Sequence, residues 1–445
     1  MTREPRLTLL PLVGATYFMV SGGAYGLEEL VAFGYGAAAV VLVVTPIVWS
    51  LPTALMVGEL ASAVPEEGGY YAWVRRAMGP FWGFQEAWLS LAASVFDMAI
   101  YPTLFTLYVG RLMPVFADGP ARLALGAAMI AACAAWNVRG ASGVGSASIV
   151  LTALLLAPFV FFSLAALLGP HPSALNPASD ATPHDGILAG VLVAMWNYMG
   201  WDNASTIATE VDCPRRTYPL AMLATVGLVA ATYLVPVGAA AYAGLDPGRF
   251  TTGAWVDAAR AVGGPWLGCA VVFGGMICGV GMFNALLLSY SRLPLALAED
   301  GYFPRWLAVR HPRTGAPWAS IVLCSLAYAA CLGIGFLRLV ELDVLLYGVS
   351  LLLEFAALVA LRVREPGLLR PFKIPGGVIG AALTGVGPLV LLATALWVGR
   401  NEKVGSVPAL AVGGVVVAMG PVLYALAPRR RVTGRAGTGA STPEG

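Results

Sequence analysis

Charge is what this chain has least of. Only 11% of its 445 residues are Asp, Glu, Lys or Arg, against roughly 25% in a soluble domain. Lysine is confined to Lys373 and Lys403, and histidine to His171, His184 and His311, all outside the apolar runs. No histidine is therefore available inside a run to relay protons or bind a metal. The net charge of +2 gives no basic surface of the kind that nucleic acid requires. Six cysteines (Cys133, Cys213, Cys269, Cys278, Cys324, Cys331) are scattered without metal-ligand spacing, and read as small buried hydrophobes. No nucleophile–base pair or metal cluster appears, so the reading is not an enzyme and has no cofactor and no metal. No stretch of soluble-domain size interrupts the chain, which weighs against a receptor with a separate ligand-binding domain.

What is present is apolar length. Mean hydropathy is +0.78, and runs of about 18–25 residues recur, each able to cross about 30 Å of hydrocarbon as a helix. The fold class expected is an all-α membrane protein with 12 transmembrane helices, near 7–33, 35–61, 81–112, 119–138, 144–169, 186–210, 217–243, 266–298, 316–335, 339–362, 378–399 and 404–427. The run from Leu7 is too long for a signal-peptide core, so the first span is expected to stay uncleaved. Residues 64–80 (VPEEGGYYAWVRRAMGP) are too polar to span and read as an amphipathic hairpin at the interface. With an even helix count both termini share a side, and that side collects 19 of the 26 Lys and Arg. The positive-inside bias then puts both termini in the cytoplasm of a multi-pass plasma-membrane protein, with the loop 169–186 outside. A single domain, 1–428, and a disordered tail, 429–445, are expected.

Two of the spans are interrupted. 21-SGGAYGLEE-29 and 196-WNYMGWDN-203 place glycine and polar residues in the middle of apolar segments. Each opens a group of five helices, 7–169 and 186–362, so the breaks occupy corresponding places in two halves of opposite orientation, with 378–427 outside the repeat. Unwound backbone at bilayer depth persists only where protein or a watery cavity satisfies its peptide groups. Paired breaks of this kind point to a transporter binding site; the plainer alternative is a packing kink. Ser21, Gly22, Gly23, Gly26, Asn197 and Gly200 form the breaks, and Trp196, Tyr198 and Trp201 can wall a site or simply pack.

The acids carry most of the functional reading. Asp97 lies near the middle of the third span, where a charge costs roughly 2.5–3.5 kcal/mol and demands a partner. Tyr101, one turn on, shares its face. Asp97 is either a structural hydrogen-bonded carboxylate or the acceptor of a substrate ammonium or a proton. Asp202 either faces the cavity or caps the half-helix after the break. Of the adjacent Glu28 and Glu29, Glu28 lies nearer the break and is the second candidate for cation or proton binding. Glu59, Glu67, Glu86, Glu210 and Glu354 fall near helix ends and read as solvated or as gate partners of Arg3, Arg6, Arg75, Arg76, Arg215 and Arg216.

These motifs carry a family resemblance. WNYMGWDNASTIATEVDCPRRTYPLA is similar to the sixth-helix signature of the amino acid–polyamine–organocation permeases, through Trp196, Tyr198, Gly200, Trp201, Glu210, Pro214, Arg215, Arg216 and Pro219. ELASAVPEEGGYYAWVRRAMGPFWGFQEAW resembles the family's second-helix end, re-entrant hairpin and third-helix start. GGAYGLEE, FDMAIYP with Asp97 and Tyr101, LLEFAALVALRVREP and RPFKIPGG resemble the polyamine-uptake branch. The resemblance implies a five-plus-five inverted repeat with discontinuous helices 1 and 6. It also implies a substrate site between helices 1, 3, 6, 8 and 10, and alternating access driven by protons. The fifth helix lacks the lysine that some members place there, so a coupling proton would need a carboxylate, Asp97 or Glu28. The partners expected are a small amine or amino acid, a coupling proton and the lipid bilayer. An amine-binding membrane receptor without transport is the alternative.

Overall fold

A computed structural model describes residues 7–66, 68–169, 187–398, 400, 403–404 and 407–427. In hydrocarbon a peptide group can bond only within its own chain, and the apolar runs accordingly fold as helices. α1 (Leu9–Val20) and α2 (Glu28–Val31) are separated by the first break. α3 (Tyr35–Thr45) runs through a π-turn into α4 (Leu51–Ala63). α5 (Tyr70–Met78) is short and precedes the long α6 (Pro80–Leu112), α7 (Gly119–Val138) and α8 (Ala141–Leu168). α9 (Ile187–Asn197) ends at the second break, which resumes as a 3-10 segment, Asp202–Glu210. α10 (Pro214–Tyr242), α11 (Trp255–Gly263), α12 (Pro265–Tyr290), α13 (Arg292–Glu299), α14 (Trp318–Ala330) and α15 (Phe336–Arg364) follow. α16 (Gly377–Thr384), α17 (Val386–Val398) and α18 (Ala409–Leu426) complete the helices, with two-residue strands pairing at Lys403–Val404 and Val407–Pro408.

Nine of these helical stretches, among the described residues, are long and apolar enough to cross a membrane. Three expected spans fall short for separate reasons. The first and sixth divide at their breaks, and the ninth contracts to α14 because the chain leaves the helix at Cys331, before Gly333 at φ +113°. The sequence reading leaves 244–265 as a loop, whereas α11 forms there with Trp255, Val256, Ala258 and Ala259 buried. α5 is amphipathic as expected. Its apolar face, with Tyr70, Tyr71, Trp73 and Val74, is buried against α6 and α15.

The two short helices are built alike. α5 ends at Gly79 (φ +97°) and α6 opens with Pro80; α11 ends before Gly264 (φ +81°) and α12 opens with Pro265. Proline at the first helical position lacks only an N–H that would be unpaired there. Three residues into each long helix comes another glycine. A Cβ at Gly83 would lie 2.6 Å from Arg75 Cβ, and one at Gly268 would lie 2.4 Å from Arg260 Cγ. Each short helix folds back over the glycine of the long helix it precedes.

α6 packs most extensively against α15 and α12, which makes it the central post. Leu10, Ile47, Leu168, Leu326, Ile379 and Leu426 are exposed around the outside, as expected where lipid rather than water covers the surface. One charge cluster is buried outright. Glu59 on α4 accepts from Arg362 Nε at 2.9 Å, from a second Arg362 nitrogen, and from the Ile374 amide at 2.8 Å. Arg370 Nε lies 3.3 Å away. These are different arginines from those the sequence reading assigns to Glu59, because α15 returns beside α4. Removing one member of a buried pair typically costs about 3–5 kcal/mol. Glu59→Gln should therefore lower the thermal unfolding temperature of detergent-purified protein clearly. An unchanged melting temperature would show that these charges are solvated.

Candidate functional site

The two breaks meet. Gly200, at φ +88°, approaches the carbonyl of Met19 so closely that a Cβ would sit 2.2 Å from its oxygen. Gly26, also at φ +88°, lies under the Trp196 ring, where a Cβ would come within 2.9 Å. Only glycine combines that backbone conformation with that proximity. The freed peptide groups are bonded by nearby side chains. Asn197 Nδ2 donates to Val193 O at 2.8 Å and Gly26 O at 3.5 Å, while its own carbonyl accepts from the Tyr233 hydroxyl at 2.5 Å. The Gly23 amide donates to Ser21 Oγ at 3.1 Å, and the Gly26 amide donates to Glu28 Oε2 at 2.8 Å.

Beside this crossing lies a narrow cavity of about 10 Å³, room for roughly one water molecule, lined by Met19, Val20, Asp97, Tyr101, Trp196, Met199, Gly200, Tyr290, Asp343 and Tyr347. Asp97, 5% exposed, accepts at Oδ1 from the Tyr101 hydroxyl (2.6 Å) and Trp196 Nε1 (3.2 Å), and at Oδ2 from the Tyr290 hydroxyl (3.4 Å). Asp343 is more deeply buried, at 1% exposed, and its Oδ1 has no hydrogen-bond partner. Trp196 stacks on Tyr101 with ring centroids 6.3 Å apart and meets Phe336 edge-on. The lining contains two carboxylates, four aromatic rings and no basic side chain. Such a lining offers a cation both acid and ring faces.

The structure divides the sequence candidates. Asp97, Tyr101, Trp196 and Gly200 line the cavity. Asp202 starts the 3-10 segment and accepts from Tyr347, a cavity-lining hydroxyl that in turn accepts from the Gly200 amide at 3.1 Å. Ser21, Gly22, Gly23 and Asn197 shape the breaks without lining the cavity. Tyr198 points to Leu42 O at 3.0 Å, and Trp201 folds back on Tyr198 O at 2.8 Å. Glu28 is turned the other way. Besides Gly26 it accepts from the Tyr108 hydroxyl at 3.0 Å and the Gly253 amide at 3.1 Å. Glu86 and Glu354, read as solvated helix ends or arginine partners, are fully buried, and no ion pair joins them to an arginine among the described residues. Glu67, the side chain of Glu210, Arg3 and Arg6 lie outside the described residues.

Sequence reasoning misses Asp343, Tyr347 and Tyr290. A usable signal exists for the first two: Asp343 and Tyr347 repeat the four-residue spacing of Asp97 and Tyr101.

Both ends of the chamber are latched. At the arginine-rich end, the Tyr70 amide donates to Ser205 Oγ at 3.2 Å, and Arg75 and Tyr71 bond Asp300 at the end of α13. At the other end Trp255 Nε1 donates to Ala24 O at 2.8 Å, and Glu29 Oε1 accepts from the Thr252 hydroxyl at 2.6 Å. α5 thus braces the second break, and the α11 region braces the first.

Comparison with known proteins gives the family. Residues 13–419 match the amino acid permease family. The chain is 34% identical over 427 residues to a probable polyamine transporter of Arabidopsis thaliana, covering 95% of this chain and 87% of that protein. It is 35% identical over 390 residues to the polyamine transporter RMV1 of the same plant, covering 87% and 79%. Against the polyamine transporter PUT1 of Oryza sativa subsp. japonica it is 34% identical over 392 residues, covering 88% and 73%. Matched over nearly its whole length, the chain belongs to the amino acid permease family.

Proposed function

We propose that this protein is a secondary active transporter of small organic amines, with linear polyamines as the substrate class. It works by alternating access across the plasma membrane, with both termini cytoplasmic and with proton coupling. The observation that carries the reading is the composition of the chamber: Asp97 and Asp343 among Tyr101, Trp196, Tyr290 and Tyr347, with no cation to oppose them. An amino acid would bring a carboxylate that needs free amides. The Gly23 and Gly26 amides of the first break are already engaged by Ser21 and Glu28, which favours an amine without a carboxylate. The names of the relatives point the same way. The matched hairpins, Arg75–Gly79–Pro80–Gly83 and Arg260–Gly264–Pro265–Gly268, support two inverted halves, 7–169 and 186–362, that close on the chamber from opposite sides.

Putrescine or spermidine should raise the unfolding temperature of the purified protein more than alanine or leucine does. A ligand at a hundred times its Kd adds about 2.7 kcal/mol to the native state. Stabilisation by neutral amino acids with none by any diamine would sink the reading.

Asp97 gives the sharper test. Asp97→Asn keeps the shape of the side chain and removes its charge, so the variant should fold and insert normally. Losing a charge-assisted hydrogen bond of about 1.5–3 kcal/mol should cut uptake into proteoliposomes by at least about tenfold. Near-normal uptake by the well-folded variant would take Asp97 out of the mechanism.

A further inference from the structure

A second set of acids lies deeper on the arginine-rich side of the chamber, and neither the chamber nor the latches use it. α6 and α15 meet at Ser90 and Ser350, whose hydroxyl oxygens are 3.1 Å apart. From that contact the two helices run in opposite directions with matching spacing. Asp97 is seven residues after Ser90, and Asp343 is seven before Ser350; Glu86 is four before Ser90, and Glu354 is four after Ser350. The acids therefore form two tiers, Asp97 with Asp343 and Glu86 with Glu354. The tiers are separated by eleven residues on each helix, about 16 Å of helical rise.

The deeper tier differs chemically from the upper one. Asp97 takes three donors, whereas neither carboxylate oxygen of Glu354 has a hydrogen-bond partner, and Glu86 has one bond, from the Ser90 hydroxyl to Oε1 at 2.7 Å. Both residues are 0% exposed. The Tyr70 hydroxyl, brought in by α5, is buried and unpartnered as well. The charged or titratable groups near enough to act on the tier are Asp202 from the 3-10 segment and Tyr70 from α5. Tyr347 on α15 and Tyr328 on α14 complete the surroundings, and none of these groups is basic.

Two adjacent buried carboxylates with no counter-charge cannot both stay ionised, because desolvation and mutual repulsion add. We propose that Glu86 and Glu354 form a proton-binding pair at the inner gate, and that α5 closes over the chamber only when the pair holds at least one proton. The proton needs no room beyond the O–H it forms, and it can bridge the unpartnered oxygens of the two glutamates. When α5 lifts, water reaches the pair and accepts the proton, leaving a carboxylate pair that keeps the gate open until it is reloaded. The inference rests on the transport reading for its consequence, and its first test does not involve transport.

The test compares wild type with Glu86→Gln, Glu354→Gln and the double variant. Amide hydrogen exchange of residues 68–79, corrected for the intrinsic rate, reports opening of α5. In wild type, opening should increase with pH; in the double variant it should be low and flat, because an amide side chain mimics the loaded, neutral pair. Infrared absorption of protonated carboxyl groups should lose intensity in each single variant. Uptake of labelled putrescine into proteoliposomes, with pH varied on one side at a time, should depend at least about fivefold on pH at the α5 side, and the double variant should lose that dependence. Opening that rises with pH equally in wild type and double variant would overturn the proposal. So would a double variant that keeps its pH response while losing affinity for triamines, which would make the pair an amine subsite. If the variants fail to fold, the infrared titration of wild type still decides, since a pair that is ionised throughout shows no protonated band to titrate. Should wild type move no amine at all, the transport reading fails, while exchange and infrared still judge the proton pair.

Discussion

Two stretches of peptide backbone leave their helices inside apolar segments, where lipid offers a peptide group no hydrogen-bond partner. Most of the architecture around the chamber follows from that constraint. Asn197 and Ser21 bond the loosened backbone directly, while Trp255, Tyr233 and Glu28 do so from α11, α10 and α2. Gly200 brings the second break against the Met19 carbonyl before the first, and Asn197 bonds carbonyls on both sides of the crossing, Val193 O and Gly26 O. The cavity is what remains beside that crossing, and its shape is set by residues whose first duty is to the backbone.

The same constraint sorts the acids. Glu28 and Glu59 are consumed by amides and guanidinium groups and hold the frame. Asp97 is held by hydroxyls and an indole N–H, which orient it without neutralising it. Asp343, Glu86 and Glu354 retain unpartnered oxygens. The acids with bonds to spare thus lie on α6 and α15, and those that hold the frame on α2 and α4.

Much of this was legible in the sequence, and the failures have physical causes. The breaks were visible because glycine and polar residues stand out against apolar neighbours, and Asp97 because its depth follows from helix length alone. Asp343 was missed because it sits seven residues into α15, near enough to the end of the expected span to pass for a solvated terminus. Its burial depends on α6 lying alongside, which no local pattern encodes. Glu28 was overvalued for its nearness to the break, when that same nearness makes it a bond acceptor for Gly26. α11 was read as loop because a nine-residue helix with its apolar face turned inward has too little length to announce itself.

The two latches are made of different forces. Arg75 and Asp300 are charges on both sides of the contact, with 36% and 24% of their side chains exposed, so dissolved ions can screen their attraction. At the opposite end the contacts are Trp255 Nε1 on the Ala24 carbonyl and the Thr252 hydroxyl on Glu29, hydrogen bonds with a charge on one side at most, which ions screen less. Ionic strength therefore acts on this protein unevenly: concentrated salt loosens the ion pair at one end more than the hydrogen bonds at the other.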